Sequence, residues 1–282
     1  MKHAYLIIAH NEYTVLSRLI NFLDDERNDI YIHFDKKSKI PANDLLRTKK
    51  SNLIVLDNRV DIRWGHVSQI EAELLLFEKA IGLFNYEFFH IISGVHLPLY
   101  SQNYIHEFFS LKRGKQLFMP MDSNPDEEEN KMHRYNFLMK DFGSDNLIIQ
   151  RMWRLLLQMQ HFIGIRRNQG IKFQKASNWV SITAEAVKYL LSIKKDILNR
   201  YNYTMCGDEF FIPSELLNSG REWDIEFNDR LLLHEIKNAN AVVYTNEDIN
   251  TILMSNCLFA RKFSSESVNL INLLEEKTKA NP

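Results

Sequence analysis

HAYLIIAHNEYTVLSRLINFLDDERNDIYIHFD, residues 3–35, decides the fold. His3 to Ala9 is a short apolar run and reads as a buried strand that ends at His10-Asn11. Glu12 to Asp25 places Val15, Leu16, Leu19, Ile20, Phe22 and Leu23 on one helical stripe. Asp29 to Phe34 is a second strand, ending at Asp35-Lys36-Lys37. Working outward, Asn52 to Leu56 is a third strand, Val67 to Leu83 a long helix, and Glu87 to Ile92 a fourth strand ending at Ser93-Gly94. Lys115 to Met119 is a fifth. This alternation predicts an α/β fold with a mostly parallel central sheet flanked by helices. Such sheets bind ligands beyond the carboxyl ends of their strands, which puts His10, Asn11, Asp35, Ser93 and Gly94 first among substrate contacts.

The second half is less regular. Asp122 to Asn130 reads as a solvated acidic loop. Residues 131–170 are basic and aromatic. Within them Leu147 to Arg167 is amphipathic and has two readings: a segment lying on a membrane surface, or a helix packed on the core with its arginines wet. Ser177 to Ile182 reads as a strand. Ala184 to Leu198, Asp208 to Leu217 and Ile249 to Lys262 read as helices, and 268–282 as a polar tail with one short helix. No repeat and no Pro/Gly/Ser linker divides the chain, so residues 1–264 form one expected domain, with 265–282 as its tail.

Composition excludes several classes. The chain has 282 residues, 45% hydrophobic and 25% charged, ample for a globular core. Lys+Arg 35 against Asp+Glu 36 leaves no overall field for nucleic acid, so no nucleic-acid partner is expected. Neither G-x-G-x-x-G nor a Walker-type loop occurs among the 9 glycines. Two cysteines, Cys206 and Cys257, point to a reducing compartment. No leader-like start and no apolar run of ~20 residues is present, so a cytoplasmic protein is expected, peripheral to the inner face of the plasma membrane if 147–167 touches lipid.

Cys206-Gly207-Asp208-Glu209-Phe210-Phe211 sets two carboxylates among aromatics. A carboxyl held against apolar rings resists ionisation, which suits a general base. Asp208, the shorter acid, fits an N-cap, leaving Glu209 for the base. Phe259-Ala260-Arg261-Lys262-Phe263 puts two cations between aromatics, read either as charge placed at a helix C-terminus or as a clamp on a diphosphate leaving group. Asp35-Lys36-Lys37 is a poor metal cradle, and the histidines show no compact ligand spacing, so no metal and no cofactor is expected. Trp64 is read as stacking on a base or sugar, or as a core residue fixing the next helix. Ser93 is not in a nucleophile elbow, which disfavours a serine hydrolase.

Taken together, YLIIAHN (5–11), IYIHFDKKS (30–38), the Arg63-Trp64 turn, HIISGVHLP (90–98), ASNWVSIT (176–183), GDEFF (207–211) and LFARKF (258–263) resemble, in order, the core-2/I-branching enzyme family. That family comprises β-1,6-N-acetylglucosaminyltransferases grouped with peptide O-xylosyltransferases. The resemblance implies a GT-A-like single domain without an Asp-x-Asp metal motif, and inverting, metal-independent transfer from a UDP-sugar to a glycan or lipid-linked oligosaccharide. Carried over, Glu209 is the base and Lys262 contacts the diphosphate. Ala9, His10 and Asp35 meet the uridine, with Asn11, Arg63, Trp64 and Arg261 also on the donor side. Lys131 and Arg134 match an acceptor-side Lys-x-x-Arg pair, joined there by Ser93, Gly94, His96, Trp179 and Asp208. Two departures stand out. A second diphosphate-binding Arg falls near Asn238 to Asn240, with Arg261 or Lys237 as substitutes, and the Asp of a Ser-Gly-x-Asp motif is His96. Few cysteines and no anchor fit a bacterial cytoplasmic relative making surface polysaccharide. GlcNAc is the first expected donor sugar. Xylose, glucose and galactose are alternatives, as is a non-catalytic sugar-nucleotide or glycan-binding protein of the same fold.

Overall fold

The structure, a computed structural model, describes residues 2–142, 147–237 and 240–280. In chain order the first half holds β1 (His3–Ala9), α1 (Tyr13–Leu23), β2 (Asn28–Phe34), β3 (Asn52–Val55), α2 (Ser68–Ile81), β4 (Phe88–Ser93), β5 (Leu97–Pro98), α3 (Gln102–Ser110), β6 (Gln116–Pro120) and α4 (Pro125–Met132). There follow α5 (Leu147–Phe162), β7 (Ala176–Thr183), α6 (Ala184–Ser192), α7 (Lys194–Tyr201), α8 (Phe211–Leu217), β8 (Ile225–Phe227) and β9 (Leu232–His234). The chain ends with β10 (Ile236–Lys237), β11 (Asn240–Ala241), α9 (Ile249–Met254), β12 (Phe259–Arg261) and α10 (Val268–Ala280).

The main sheet runs β3-β2-β1-β4-β7-β6-β8. All its strands are parallel except β7, which is antiparallel to β4 and β6. Side chains alternate across a strand, and β1 is apolar on both faces. Ala4, Leu6 and Ile8 enter one core with α2 and α6; Tyr5, Ile7 and Ala9 enter the other with α1, α3 and α10. That is why His3 to Ala9 reads as a continuous apolar run rather than an alternating one. A second cluster of buried groups lies beside this strand: His3, His90 and His106 pack ring to ring, with His90 Nε2 3.1 Å from His3 Nδ1.

The strand ends are drawn together at the site. Asp35 N–H donates to Ala9 O and Gly94 N–H to Ile8 O, both at 2.9 Å. A Cβ on Gly94 would sit 3.1 Å from that of Ala9, so the close approach of these two turns favours glycine. A three-stranded sheet, β5-β12-β9, caps this end and aligns Arg261 with His234. In β7 the ladder slips: Phe118 faces Val180 but Pro120 faces Ala176, so residues 177–179 bulge from the pairing.

Several expectations are corrected. The helix expected over Ile249–Lys262 stops at Met254, Asn256 turns left-handed (φ 54°), and Phe259–Arg261 is a strand. The long-range partners Leu97–Pro98 and Leu232–His234 decide this, and the helix-terminus reading of Arg261 and Lys262 falls with it. The acidic loop is largely helix α4. Asn124 caps it, Pro125 opens it, and Asp126, Glu127 and Glu128 fill its positive first turn. The helix over Ala184–Leu198 is broken at Ile193 (φ −112°, ψ 18°) into α6 and α7. Residues 268–280 are a 13-residue helix with Leu270, Ile271 and Leu274 buried in the core.

Candidate active site

Asp35, at the end of β2, accepts from Lys37 N–H at 2.9 Å and pairs with Lys37 Nζ at 3.0 Å. Lys37 also pairs with Asp61, whose other oxygen takes Arg63 at 2.7 Å. Arg59 fixes the same turn by donating to the carbonyls of Phe34, Asp35 and Ser38. Arg63, expected on the donor side, therefore lies in an ionic chain that reaches Asp35. Trp64 does not join it. Its exposed ring stacks on Phe142 at 6.2 Å, toward Trp153.

Beyond β4, Ser93 N–H and Oγ both meet His96 Nδ1, at 3.1 and 2.7 Å. The backbone amide can only donate, so Nδ1 accepts and the proton sits on Nε2. That Nε2 is buried without a partner, and so are Trp179 Nε1 and Arg261 Nε. The three belong to one cluster. His96 meets Trp179 edge-on at 4.9 Å, and the Arg261 guanidinium lies 5.0 Å from the Trp179 ring. Arg261 donates to His234 Nε2 at 3.1 Å, and its burial lowers its pKa to about 10. Burial, then the nearby Arg261, holds His234 down at about 4. Among the described residues neither Arg261 nor Lys262 has an acidic partner. His10 feels Asp35, Lys262, Lys37 and Arg261 together; its pKa is lowered, by burial first, with Asp35 opposing. Asn11 is exposed beside it. A part-buried cation without an acidic partner among the described residues and three unpartnered donors together favour an oxygen-rich anion here. The cavity against His96 and Trp179 is about 20 Å³, room for one water.

Glu209 sits in a second cluster. Cys206 takes a left-handed φ of 53° with its N–H on Gly65 O at 2.9 Å, and Gly207–Glu209 is a single 3₁₀ turn. A Cβ on Gly207 would lie 2.7 Å from Thr204 Oγ1 and 2.8 Å from Tyr201 Cδ1, so only glycine fits beneath the turn. Glu209 Oε2 has no hydrogen bond, yet Lys131 Nζ and Lys175 Nζ each stand 3.8 Å away. Both ammoniums are held by Glu127 Oε1 at 2.7 Å. Burial raises the pKa of Glu127, but the two lysines outweigh it and leave the group lowered. Asp208 does not cap a helix as expected; the turn gives it no N–H to cap, and its Oδ1 is buried unpartnered. Burial, then Glu209, pushes its carboxyl up to about 7. Glu73 of α2 is fully buried with both oxygens unpartnered, raised by burial and then by Asp208.

Of the Lys131 and Arg134 pair expected on the acceptor side, Lys131 reaches Glu209 and Arg134 does not. Arg134 is turned toward the end of α5, donating to Ile165 O and pairing with Glu129 at 2.8 Å. Asn238 lies outside the described residues, as does Ala239 and the side chain of Asn240, where the second diphosphate Arg was sought. Sequence reading missed Glu127, Lys175 and Glu73. Glu127 was readable from the helix-start signal of Asn124-Pro125; Lys175 and Glu73 had none. Lys175, just before β7, and Trp179 within it are four residues apart, which holds their Cα atoms within ~14 Å of each other and links the two clusters. Among the described residues no group of three or more His, Cys, Asp or Glu is arranged to hold a metal ion. Cys206 and Cys257 are free and buried.

The sheet order and the polar clusters at its carboxyl ends define a GT-A-like α/β enzyme. The Core-2/I-Branching enzyme family model matches residues 3–239, so the chain belongs to that family and is a glycosyltransferase. The match stops short of Phe259–Phe263. In structure the chain is similar to mouse xyloside xylosyltransferase 1 in its apo form, at TM-score 0.41 and 10% identity over 92% of this chain and 96% of that one. It is also similar to S. aureus TarS 1-349, at TM-score 0.31 and 10% identity over 71% and 66% of the two chains. A putative glucose-1-phosphate thymidylyltransferase from Bacillus anthracis, in complex with a sucrose, gives 0.37 and 12% over 96% and 94%. The assignment rests on the family match and not on these scores. No curated protein matches the chain by sequence.

Proposed function

We propose that this glycosyltransferase moves a sugar, GlcNAc first among candidates, from a UDP-sugar to a hydroxyl of a glycan or lipid-linked oligosaccharide, with inversion and without a metal ion. The Glu209 carboxylate takes the acceptor proton. The acceptor oxygen attacks the anomeric carbon, and the bond to the diphosphate breaks with its electron pair leaving on UDP. Lys262 and Arg261 take up the charge on the departing diphosphate, the role a divalent ion plays in related chemistry. Ala9, His10, Asn11 and Asp35 receive the uridine. The free thiols accord with work in a reducing cytoplasm, and surface polysaccharide is the proposed product.

One observation carries this reading. A carboxylate oxygen without a hydrogen bond faces Lys175, just before β7, and a group of donors without acceptors surrounds Trp179, four residues further along the chain. The cavity at the donors is too small for a pyranose, so donor binding swings Trp179 or the Arg261 guanidinium aside. His96 in place of an acid leaves xylose, glucose and galactose donors as outcomes to be tested.

The test is UDP release and product formation from a panel of UDP-sugars in EDTA. Transfer that survives chelation and disappears in Glu209→Gln supports the reading. Full activity in that variant removes Glu209 from the step. UDP binding without transfer across an acceptor panel makes the protein a sugar-nucleotide binder.

A further inference from the structure

We infer that the outer face of α5 docks on an anionic lipid surface. From Leu147 to Arg167 the chain has four arginines and no acid. The inner side of α5 is firmly held. Trp153 Nε1 donates to Asn136 Oδ1 at 2.9 Å, Gln160 exchanges two hydrogen bonds with the backbone of Tyr135, and Leu157 is buried. The outer side carries Met152, Leu155, Met159 and Phe162 at i, i+3, i+7 and i+10, a single helical stripe. All four are exposed, Phe162 by 92%, and Ile163 extends the patch. Arg151 and Arg154, also exposed, run along its edge, and neither has an acidic partner among the described residues. The other two arginines are committed: Arg166 to Glu129 and Arg167 to Arg200 O and the Tyr135 ring.

An apolar stripe this long on a surface helix marks a contact site. Charge selects the occupant. A second copy packed two-fold on this face would set Arg151 and Arg154 against their equivalents, with no acid on the segment to pair them. An anionic headgroup layer neutralises both while taking the apolar stripe into the acyl boundary. At 16 residues the helix lies in the interface rather than spanning it, and among the described residues no helix is long and apolar enough to cross a membrane. Trp64 is not part of this stripe: it stacks on Phe142, which packs against Trp153 on the inner side of α5. The lipid contact does not rest on Glu209 being the base.

The experiment is sedimentation of the full chain with vesicles of phosphatidylglycerol and phosphatidylcholine in equal parts, and with phosphatidylcholine alone. The protein is expected to pellet with the first at low salt and to stay in solution with the second. Each basic residue near an anionic surface is worth about fivefold in partition, so Arg151→Gln with Arg154→Gln lowers binding about 25-fold. Leu155→Gln with Phe162→Gln abolishes it. These side chains are exposed, and circular dichroism checks that the variants fold. No pelleting, or pelleting indifferent to both variants, overturns the inference. A dimer in sedimentation velocity that Phe162→Gln dissolves also overturns it, placing a second copy on the face. Transfer to a water-soluble acceptor is read in parallel and stays unchanged in these variants. No transfer by the wild-type chain, with vesicle binding lost in the variants as expected, would sink the functional reading alone.

Discussion

At Glu209 charge is balanced inside the protein, whereas around Trp179 of β7 it is not. Glu127 holds Lys131 and Lys175, Glu209 faces both, and the four charges cancel when Asp208 keeps its proton. Around Trp179, Arg261 is part-buried against the ring and His234 with no acidic partner among the described residues. Withdrawing an unpaired cation from water costs stability, and a fold keeps one only where something else gains from it. On the proposed reading the contrast separates two duties: a charge-balanced carboxylate that takes a proton, and cations that an anion from outside completes.

Substitutions at the two ends should therefore differ in sign as well as size. The largest effect is expected from Glu209→Gln, a loss of ~10²–10⁴ in transfer rate with UDP affinity kept, measured by turnover and calorimetry. Arg261→Met should weaken UDP binding about 10- to 100-fold, the worth of a charge-assisted hydrogen bond. In the same variant the thermal midpoint without ligand should hold or rise. Lys175→Met should do the reverse, lowering unfolding free energy by about 2–3 kcal/mol through the carboxylates it strands, with little effect on UDP affinity. A fall in stability for Arg261→Met matching that for Lys175→Met would erase the distinction.

pH sharpens it further. Asp208 keeps its proton up to about 7 in the folded chain, against 3.8 when unfolded. Between these values the unfolded state holds fewer protons, so this group lowers stability as pH rises from about 4 to about 7. Asp208→Asn should match wild type near pH 4 and exceed it at pH 8 by on the order of 2 kcal/mol, read from urea midpoints. The buried histidines act in the opposite direction. His90 is lowered to about 3 and His106 to about 4, both by burial first, so below pH 6.5 the unfolded chain gains protons that the folded one refuses. The smallest change, Gly207→Ala, should cost about 1–3 kcal/mol by overpacking against Thr204 and Tyr201.

Much of this was legible where local pattern and burial agree. β1, β2 and β4 are inner strands covered on both faces, and their apolar runs end where the strands do. Legibility failed where distant partners decide. Ile249 to Leu258 has helical spacing, but Asn256 turns left-handed and the chain beyond it pairs with strands far away in sequence. Acidic composition hid α4, although Asn124 and Pro125 announce a helix start. The residues of the Glu209 turn are adjacent in the sequence, while Lys175 and Glu73 are invisible there, because their proximity to that turn is created only by the packing of the segment before β7 and of α2. Polarity without a partner, the feature that singles out His96, Trp179 and Arg261, has no trace in sequence at all.

The bulge at residues 177–179 gives β7 a further consequence. Freed from the ladder, this arc sets the spacing between proton acceptor and anion seat, like the movable jaw of a caliper. Deleting Asn178 would flip Trp179 to the opposite side of the strand and strip the shelf from under the guanidinium, while Lys175 stayed where it is. Such a chain should still fold around Glu209 and, on the proposed reading, should hold the nucleotide more weakly, with Arg261 unsupported by the Trp179 ring.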